Sequence, residues 1–394
     1  MLTARSGRVV LFYALVVFVL LCALWSFPRG NKLIDFGTFV ASGRAALHGQ
    51  DPYGVYDLTP HFSQGSIQGY STNGNPPVSV PVFAVVSQLE PVEAFRAWYV
   101  ISLALYAIVV LLLSRAYPER ATPLLVGWAL GLAGLWSTVN LGQIYIPLVL
   151  ASTGAWLCLR RRHFVGAGVL IGIVVAVKPN FLVWPALLLL AGYTGTALVA
   201  VACAGLLSLV PAVMYGPRVY VEWFATFSEH PWIALPTNGS LYGLMARVGL
   251  PSLGVALSVV LLLALAVLTW RRRPSLLGVC ELALLGSLLA SPEAWLGYTL
   301  FLLPIFYRRS WTPLIGAAAV LLMVPETLVV DWADLSSWYF LAFGFLTNLA
   351  LLFLLVDVLK SALSETATRP HGADETTDGT RRPENSAWVS RTWV

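Results

Sequence analysis

Apolar residues come in long Leu-, Val- and Ala-rich runs separated by short polar breaks over almost the whole chain. The runs lack the alternation of the roughly ten-residue segments that build membrane barrels, so they predict helices. Candidate spans fall at residues 9–27, 97–114, 122–139, 143–159, 164–177, 180–193, 196–215, 252–270, 275–290, 294–307, 311–330 and 338–358. The fold class this predicts is an all-α polytopic membrane protein with about twelve transmembrane helices. Two neighbours, 164–177 and 180–193, are shorter than the roughly 20 residues a straight span needs, and they meet at Lys178-Pro179-Asn180. Proline ends one helix and begins another there, leaving free backbone groups beside a cation. Breaks of this kind at membrane depth line cavities. Between the first two spans, 28–96 is the longest non-spanning stretch before the tail. It has a turn-rich middle (Gly65, Gly69, Gly74, Asn75-Pro76-Pro77) and an apolar piece, 78–89, that is too short to span and reads as re-entrant or interfacial.

Composition fits this reading: 58% of the 394 residues are hydrophobic and 11% are charged, against about 25% charged in soluble domains. In lipid, helices satisfy every backbone group within the segment. The net charge of +5 comes from short clusters between the apolar runs, Arg160 to Arg162, Arg271 to Arg273, and Arg308 with Arg309. Such clusters mark cytoplasmic loops. No basic face with aromatic platforms is present, so nucleic acid is not an expected partner. Alternation from Arg5 and Arg8 puts all three clusters and both termini in the cytoplasm. The run at 9–27 is long for a signal peptide and has no small-residue cleavage site before Pro28, so it reads as an uncleaved span. Residues 1–363 then form one transmembrane domain, with 28–96 as its first outside loop. The polar tail, 364–394, is expected to be disordered. Cys22, Cys158, Cys203 and Cys280 all lie inside apolar runs without CxxC spacing and read as packing residues.

This topology gathers the intramembrane polar residues toward the outside face. Asp35 stands just beyond the first span in the context Leu33-Ile34-Asp35-Phe36, which suits a general base; a helix N-cap for 36–47 explains it as well. Lys178 needs a partner, and a lipid phosphate or a structural carboxylate would serve equally. Arg247 could grip phosphate in a fork or anchor the following span. Asn140-Leu141-Gly142-Gln143 also fits an ordinary turn between helices. His48, His61 and His163 are isolated, His371 is in the tail, and His230 alone falls in an outside loop with a possible site role. That loop, 216–251, also holds Tyr220, Trp223, Phe224, Phe227 and Trp232, which fit an interfacial belt or a platform for a sugar or prenyl chain. HExxH, P-loop and GxSxG arrangements are lacking, so no ATP-driven chemistry is expected.

The motifs Asp35, Ser42-Gly43-Arg44 through Asp51-Pro52-Tyr53, Asn75-Pro76-Pro77, Asn140-Leu141-Gly142-Gln143, Lys178-Pro179-Asn180, Asn238-Gly239-Ser240-Leu241-Tyr242 and Ser291-Pro292 recur here in one order. In that order they resemble glycosyltransferase family 87, which includes polyprenol-phosphate-mannose-dependent α-1,2-mannosyltransferases. The resemblance covers nearly everything but the tail. It implies a GT-C fold in the cell's inner (plasma) membrane, with an extracytoplasmic site that moves a hexose such as mannose from a polyprenyl-phosphate donor to a lipid or envelope-glycan acceptor. It further implies Asp35 as the base, inversion at the anomeric carbon, Lys178 and Arg247 at the donor phosphate, and neither cofactor nor metal. Substrate contacts are expected from Tyr53, Asn75, Asn140, Gln143, Asn180, His230, Asn238 and Glu293. Family mannosyltransferases often carry histidine shortly after the Ser-Pro, where this chain runs Glu293-Ala294-Trp295-Leu296-Gly297-Tyr298. A transporter or flippase of a lipid-linked sugar is the alternative. It would need coupling residues near mid-membrane, whereas these candidates sit near one face.

Overall fold

The computed structural model describes residues 17, 21, 33–64, 67–227, 231–325 and 337–367. Most of the first span, His230 and residues 368–394 lie outside these. Helices dominate: α1 (Ile34–Leu47), α2 (Val80–Val86), α3 (Pro91–Ala116), α4 (Pro123–Leu130), α5 (Ala133–Leu141), α6 (Tyr145–Arg160), α7 (Phe164–Val177), α8 (Val183–Leu190) and α9 (Thr194–Tyr215). Then follow α10 (Arg218–Thr226), α11 (Leu241–Arg247), α12 (Pro251–Arg272), α13 (Leu276–Leu289), α14 (Leu303–Arg308), α15 (Pro313–Leu321) and α16 (Ser337–Ala367). The all-α expectation has one exception, an antiparallel hairpin of β1 (His61–Gln64) and β2 (Ile67–Tyr70) in the first loop.

Among the described residues, five stretches are long and apolar enough to cross a membrane: Pro91–Ala116, Pro123–Leu141, Thr194–Tyr215, Pro251–Arg272 and Gly344–Ser364. The second is not one rod, because α4 stops at Gly131 and α5 restarts after an extended Leu132. The predicted helix at 164–177 coincides with α7, and Pro179 opens the 3₁₀ turn Pro179–Leu182 that leads into α8. At 1.5 Å per residue α7 is about 21 Å long, short of the roughly 30 Å hydrocarbon layer. The predicted span at 294–307 begins as a 3₁₀ helix, Leu296–Leu302, before α14. A 3₁₀ run of this length is unusual and marks strain or function. The apolar piece at 78–89 forms the turn Pro77–Ser79 and the short α2.

Between helices in lipid, close packing replaces the hydrophobic drive, and small residues permit it. A Cβ on Gly168 would meet the Thr196 carbonyl at 2.8 Å, and one on Gly172 the Ala200 carbonyl at 2.7 Å, so α7 and α9 touch backbone to backbone. At Gly43, α1 lies directly against the Phe83 backbone of α2. Trp223 of α10 is buried with Tyr53 and Val80 in a small cluster, and its indole donates to the Gly74 carbonyl at 3.2 Å. Phe224 remains exposed.

One end of the bundle is locked by charge. Glu281 is fully buried and accepts from Arg308 at 2.6 Å and from Arg309 at 2.7 and 2.9 Å. Arg309 also donates to Asp357 at 2.9 Å, and Asp357 accepts from Thr312 at 2.7 Å. These bonds tie α13, α14, α15 and α16 together. At the same end Arg120 reaches Ser310, and Arg160 reaches the Ala116 carbonyl.

Candidate functional site

At the other end the breaks in the helices leave a cavity of about 240 Å³ lined by residues from six separate parts of the chain. The start of α1 contributes Asp35. Leu33 occupies the N-cap position and no side chain caps the helix, so the N-cap reading of Asp35 does not hold. Its carboxylate instead accepts a 2.5 Å hydrogen bond from Nε2 of Gln143. Ile34, just before it, has φ +27°, an uncommon conformation for a β-branched residue.

Gln143 is presented by the end of α5. Gly142 adopts φ +69°, a left-handed C-cap, and the Gln143 amide closes the helix onto the Thr138 carbonyl. A Cβ at Gly142 would lie 2.7 Å from Cβ of Phe36, so glycine is required by conformation and by contact with α1. Asn140 of the same motif points to the exterior.

Lys178 stands at the C-terminus of α7 and is 8% exposed. Nζ donates to Oδ1 of Asn75 at 2.8 Å and lies 4.8 and 5.3 Å from the ring centroids of Tyr145 and Tyr298. Asn75 is fixed in turn: its amide and side chain both donate to Oδ1 of Asn73, whose Nδ2 donates to Ser42. The Tyr53 hydroxyl donates to the Asn75 carbonyl at 3.0 Å, so Tyr53 supports the loop from behind and does not line the cavity.

Glu293 and Trp295 form the opposite wall, with the indole Nε1 donating to Oε2 of Glu293 at 3.3 Å. The turn carrying them is held by Asn238, which is fully buried. Its Nδ2 donates to the Pro292 carbonyl, and its Oδ1 accepts from the amides of Ala294 and Ser240. Asn348 donates to the carbonyls of Gly239 and Ser240. Arg247 donates to the carbonyls of Leu235, Asn238 and Gly344 and to Oδ1 of Asn348. Both terminal nitrogens of its guanidinium are taken by protein oxygens, and it does not line the cavity. Asn180 also lies elsewhere, donating to the Ser287 carbonyl. Gly297 packs a backbone atom where a Cβ would meet Thr138 and Tyr145 at 2.5 Å, so the wall after Trp295 sits tightly on α5 and α6.

Of the residues singled out from sequence, Asp35, Asn75, Gln143, Lys178 and Glu293 therefore converge on one cavity. Tyr53, Asn140, Asn180, Asn238 and Arg247 do not line it, and His230 lies outside the described residues. Sequence reasoning missed Asn73, Tyr145 and Trp295. Each lies within two residues of a motif position, and proximity to Asn75, Gln143 and Glu293 was the available signal.

Burial pushes the Asp35 carboxyl up to about 6, against the opposing pull of the Gln143 hydrogen bond and the Lys178 charge. The side chain is partly buried in the wall of the cavity. A carboxylate in that range is ionised at neutral pH yet basic enough to take a proton from a hydroxyl.

Comparison with known proteins places the chain in a family. The model of glycosyltransferase family 87 matches residues 74–292, more than half of the chain. Among solved structures, ArnT from Cupriavidus metallidurans in the apo state is similar, at 19% identity and a TM-score of 0.39, over 92% of this chain and 76% of that one. The structure of the same ArnT bound to undecaprenyl phosphate gives 17% identity and a TM-score of 0.38, over 90% and 78%. No curated protein sequence matches.

Proposed function

The protein belongs to glycosyltransferase family 87, and on that premise we propose that it moves a hexose, with mannose the first candidate, from a polyprenyl-phosphate donor to a hydroxyl of a lipid or envelope-glycan acceptor. The observation that carries this reading is the meeting of Asp35 and Lys178 in one cavity, each held by a neutral amide. Asp35 takes the proton of the acceptor hydroxyl as the oxygen attacks the anomeric carbon. The bond from that carbon to the phosphate oxygen breaks on the opposite face, so the configuration inverts. Negative charge then grows on the departing polyprenyl phosphate, beside the Lys178 ammonium. A preorganised cation in a site shielded from water stabilises such charge well. Tyr145 and Tyr298 hold the ammonium by their ring faces without neutralising it.

Arg247 is assigned a positioning role in this scheme, since it fixes Asn238 and through it the turn that carries Glu293. The cavity opens to the extracytoplasmic side, with the arginine clusters and both termini in the cytoplasm, by the bias of basic residues toward cytoplasmic loops.

Purified protein given radiolabelled polyprenyl-phosphate mannose and native lipid extract is expected to make a new glycolipid. Asp35→Asn should lower the rate by about 10³-fold, within the usual range for a general base. Full activity in that variant would overturn the mechanism. Movement of labelled lipid across proteoliposomes without a new glycosidic bond would favour a flippase.

A further inference from the structure

We infer that Asn73 is a positioning residue for the transfer: it sets the Lys178 ammonium in register with the Asp35 carboxylate, with the face of α1 that carries Asp35 as the common frame. This rests on the transferase reading above and adds to it how the base and the cation, far apart in sequence, are held to one spacing. Asp35, Thr38 and Ser42 stand at i, i+3 and i+7 of α1 and so share one face of the helix. The first gives its carboxylate to the cavity, and the other two fasten the segment 71–75. Thr38 Oγ1 donates to the Ser71 carbonyl at 2.6 Å, and Ser42 Oγ accepts from Nδ2 of Asn73 at 2.9 Å.

Asn73 then decides which end of Asn75 the ammonium meets. Its Oδ1 accepts from the backbone amide of Asn75 at 3.0 Å and from Nδ2 of Asn75 at 3.2 Å. With that nitrogen engaged, Oδ1 of Asn75 is the atom turned to Nζ of Lys178, at 2.8 Å. An asparagine suits position 73 because its side chain offers a donor to Ser42 and an acceptor to Asn75 at once. On the outer side, Tyr53 and Trp223 donate to the carbonyls of Asn75 and Gly74, which keeps the segment pressed toward α1. Asn73 is fully buried and stands outside the lining of the cavity, so it acts on the reaction through the groups it holds. A misplacement of about 1 Å set up away from the reacting atoms is enough to cost about 10²-fold in rate.

The test uses full-length protein in detergent micelles, radiolabelled polyprenyl-phosphate mannose and native lipid extract, with the folded fraction of each variant read from its melting curve. Asn73→Leu keeps the approximate shape and removes the polar contacts. It should lower kcat by about 10- to 100-fold while the donor KM changes by less than about threefold. In a Lys178→Gln background the same substitution should cost less than about twofold, because the ammonium it positions is gone. Ser42→Ala removes the acceptor for Asn73 alone and should lower kcat by about fivefold, an effect that should likewise vanish in Lys178→Gln. That milder variant carries the test if Asn73→Leu fails to fold. Equal losses in both backgrounds, or a lower melting temperature with kcat of the folded protein unchanged, overturn the proposal alone. No product from the wild-type protein overturns the transferase reading beneath it.

Discussion

At the arginine end of the bundle Glu281 is wrapped by two guanidiniums, whereas at the cavity end Asp35 and Lys178 each meet an amide. Both ends take charge out of water. At the first, opposite charges and hydrogen bonds close the valences of Glu281, Arg309 and Asp357, and the cluster joins four helices. Among the described residues neither Asp35 nor Lys178 forms an ion pair, and both face open volume. A charge with its counter-charge in place is a fastening. A charge oriented by neutral dipoles keeps its field for a ligand. The difference separates structure from chemistry more reliably than burial does, since Glu281 is more buried than Lys178.

The comparison breaks or sharpens at particular residues. Glu281→Gln leaves two guanidiniums without their carboxylate and should destabilise the fold by about 3–5 kcal/mol, the range seen on breaking buried pairs. Thermal unfolding in detergent reads this, and an unchanged melting temperature would remove the distinction between the two ends. Lys178→Gln should instead spare the melting temperature and cut transfer by about 10²- to 10³-fold, chiefly in kcat. Arg247→Lys abolishes a planar fork that serves four oxygens and should cost about 2 kcal/mol. Acceptor KM should rise with it, because the turn bearing Glu293 loosens; a loss in donor binding instead would return Arg247 to the phosphate.

The smallest effect concerns pH. With the Asp35 carboxyl near 6, kcat/KM should fall about tenfold per pH unit below that value, as the base takes up its proton. Gln143 favours the ionised form, so Gln143→Leu should move the midpoint upward, by less than about one unit. A midpoint that moves down would show that Gln143 is not oriented as a donor to Asp35. The raised pKa also carries a stability sign. Ionised Asp35 opposes folding above about pH 6, and that opposition fades as pH falls toward the ordinary value of 3.8. Asp35→Asn should therefore hold or raise the melting temperature at neutral pH while cutting transfer by about 10³-fold.

Much of the scaffold was legible because its causes are local. Apolar runs place α3, α7, α9, α12 and α13 within a few residues of where the spans were expected, and Pro179 ends α7 where its missing amide requires. The left-handed Gly142 is legible in the same way. Arg247 shows the limit. Its donors fit a phosphate and a set of carbonyl oxygens equally, and only the approach of Gly344 and Asn348, about a hundred residues away in the chain, decides between them. Asn238 likewise looks like a ligand for substrate, yet it is a buried bracket for Pro292 and Ala294.

The sequence by itself determined that the chain is a helical membrane protein, where its helices break, and which polar side chains have to be accounted for. Those properties follow from transfer free energy and backbone sterics, which act over a few residues. Only the tertiary structure decided which of those side chains share a cavity with Asp35 and which hold the wall behind it. A donor or acceptor carries no label for its partner, and long-range packing assigns Gln143 to Asp35, Asn75 to Lys178 and Arg247 to the backbone.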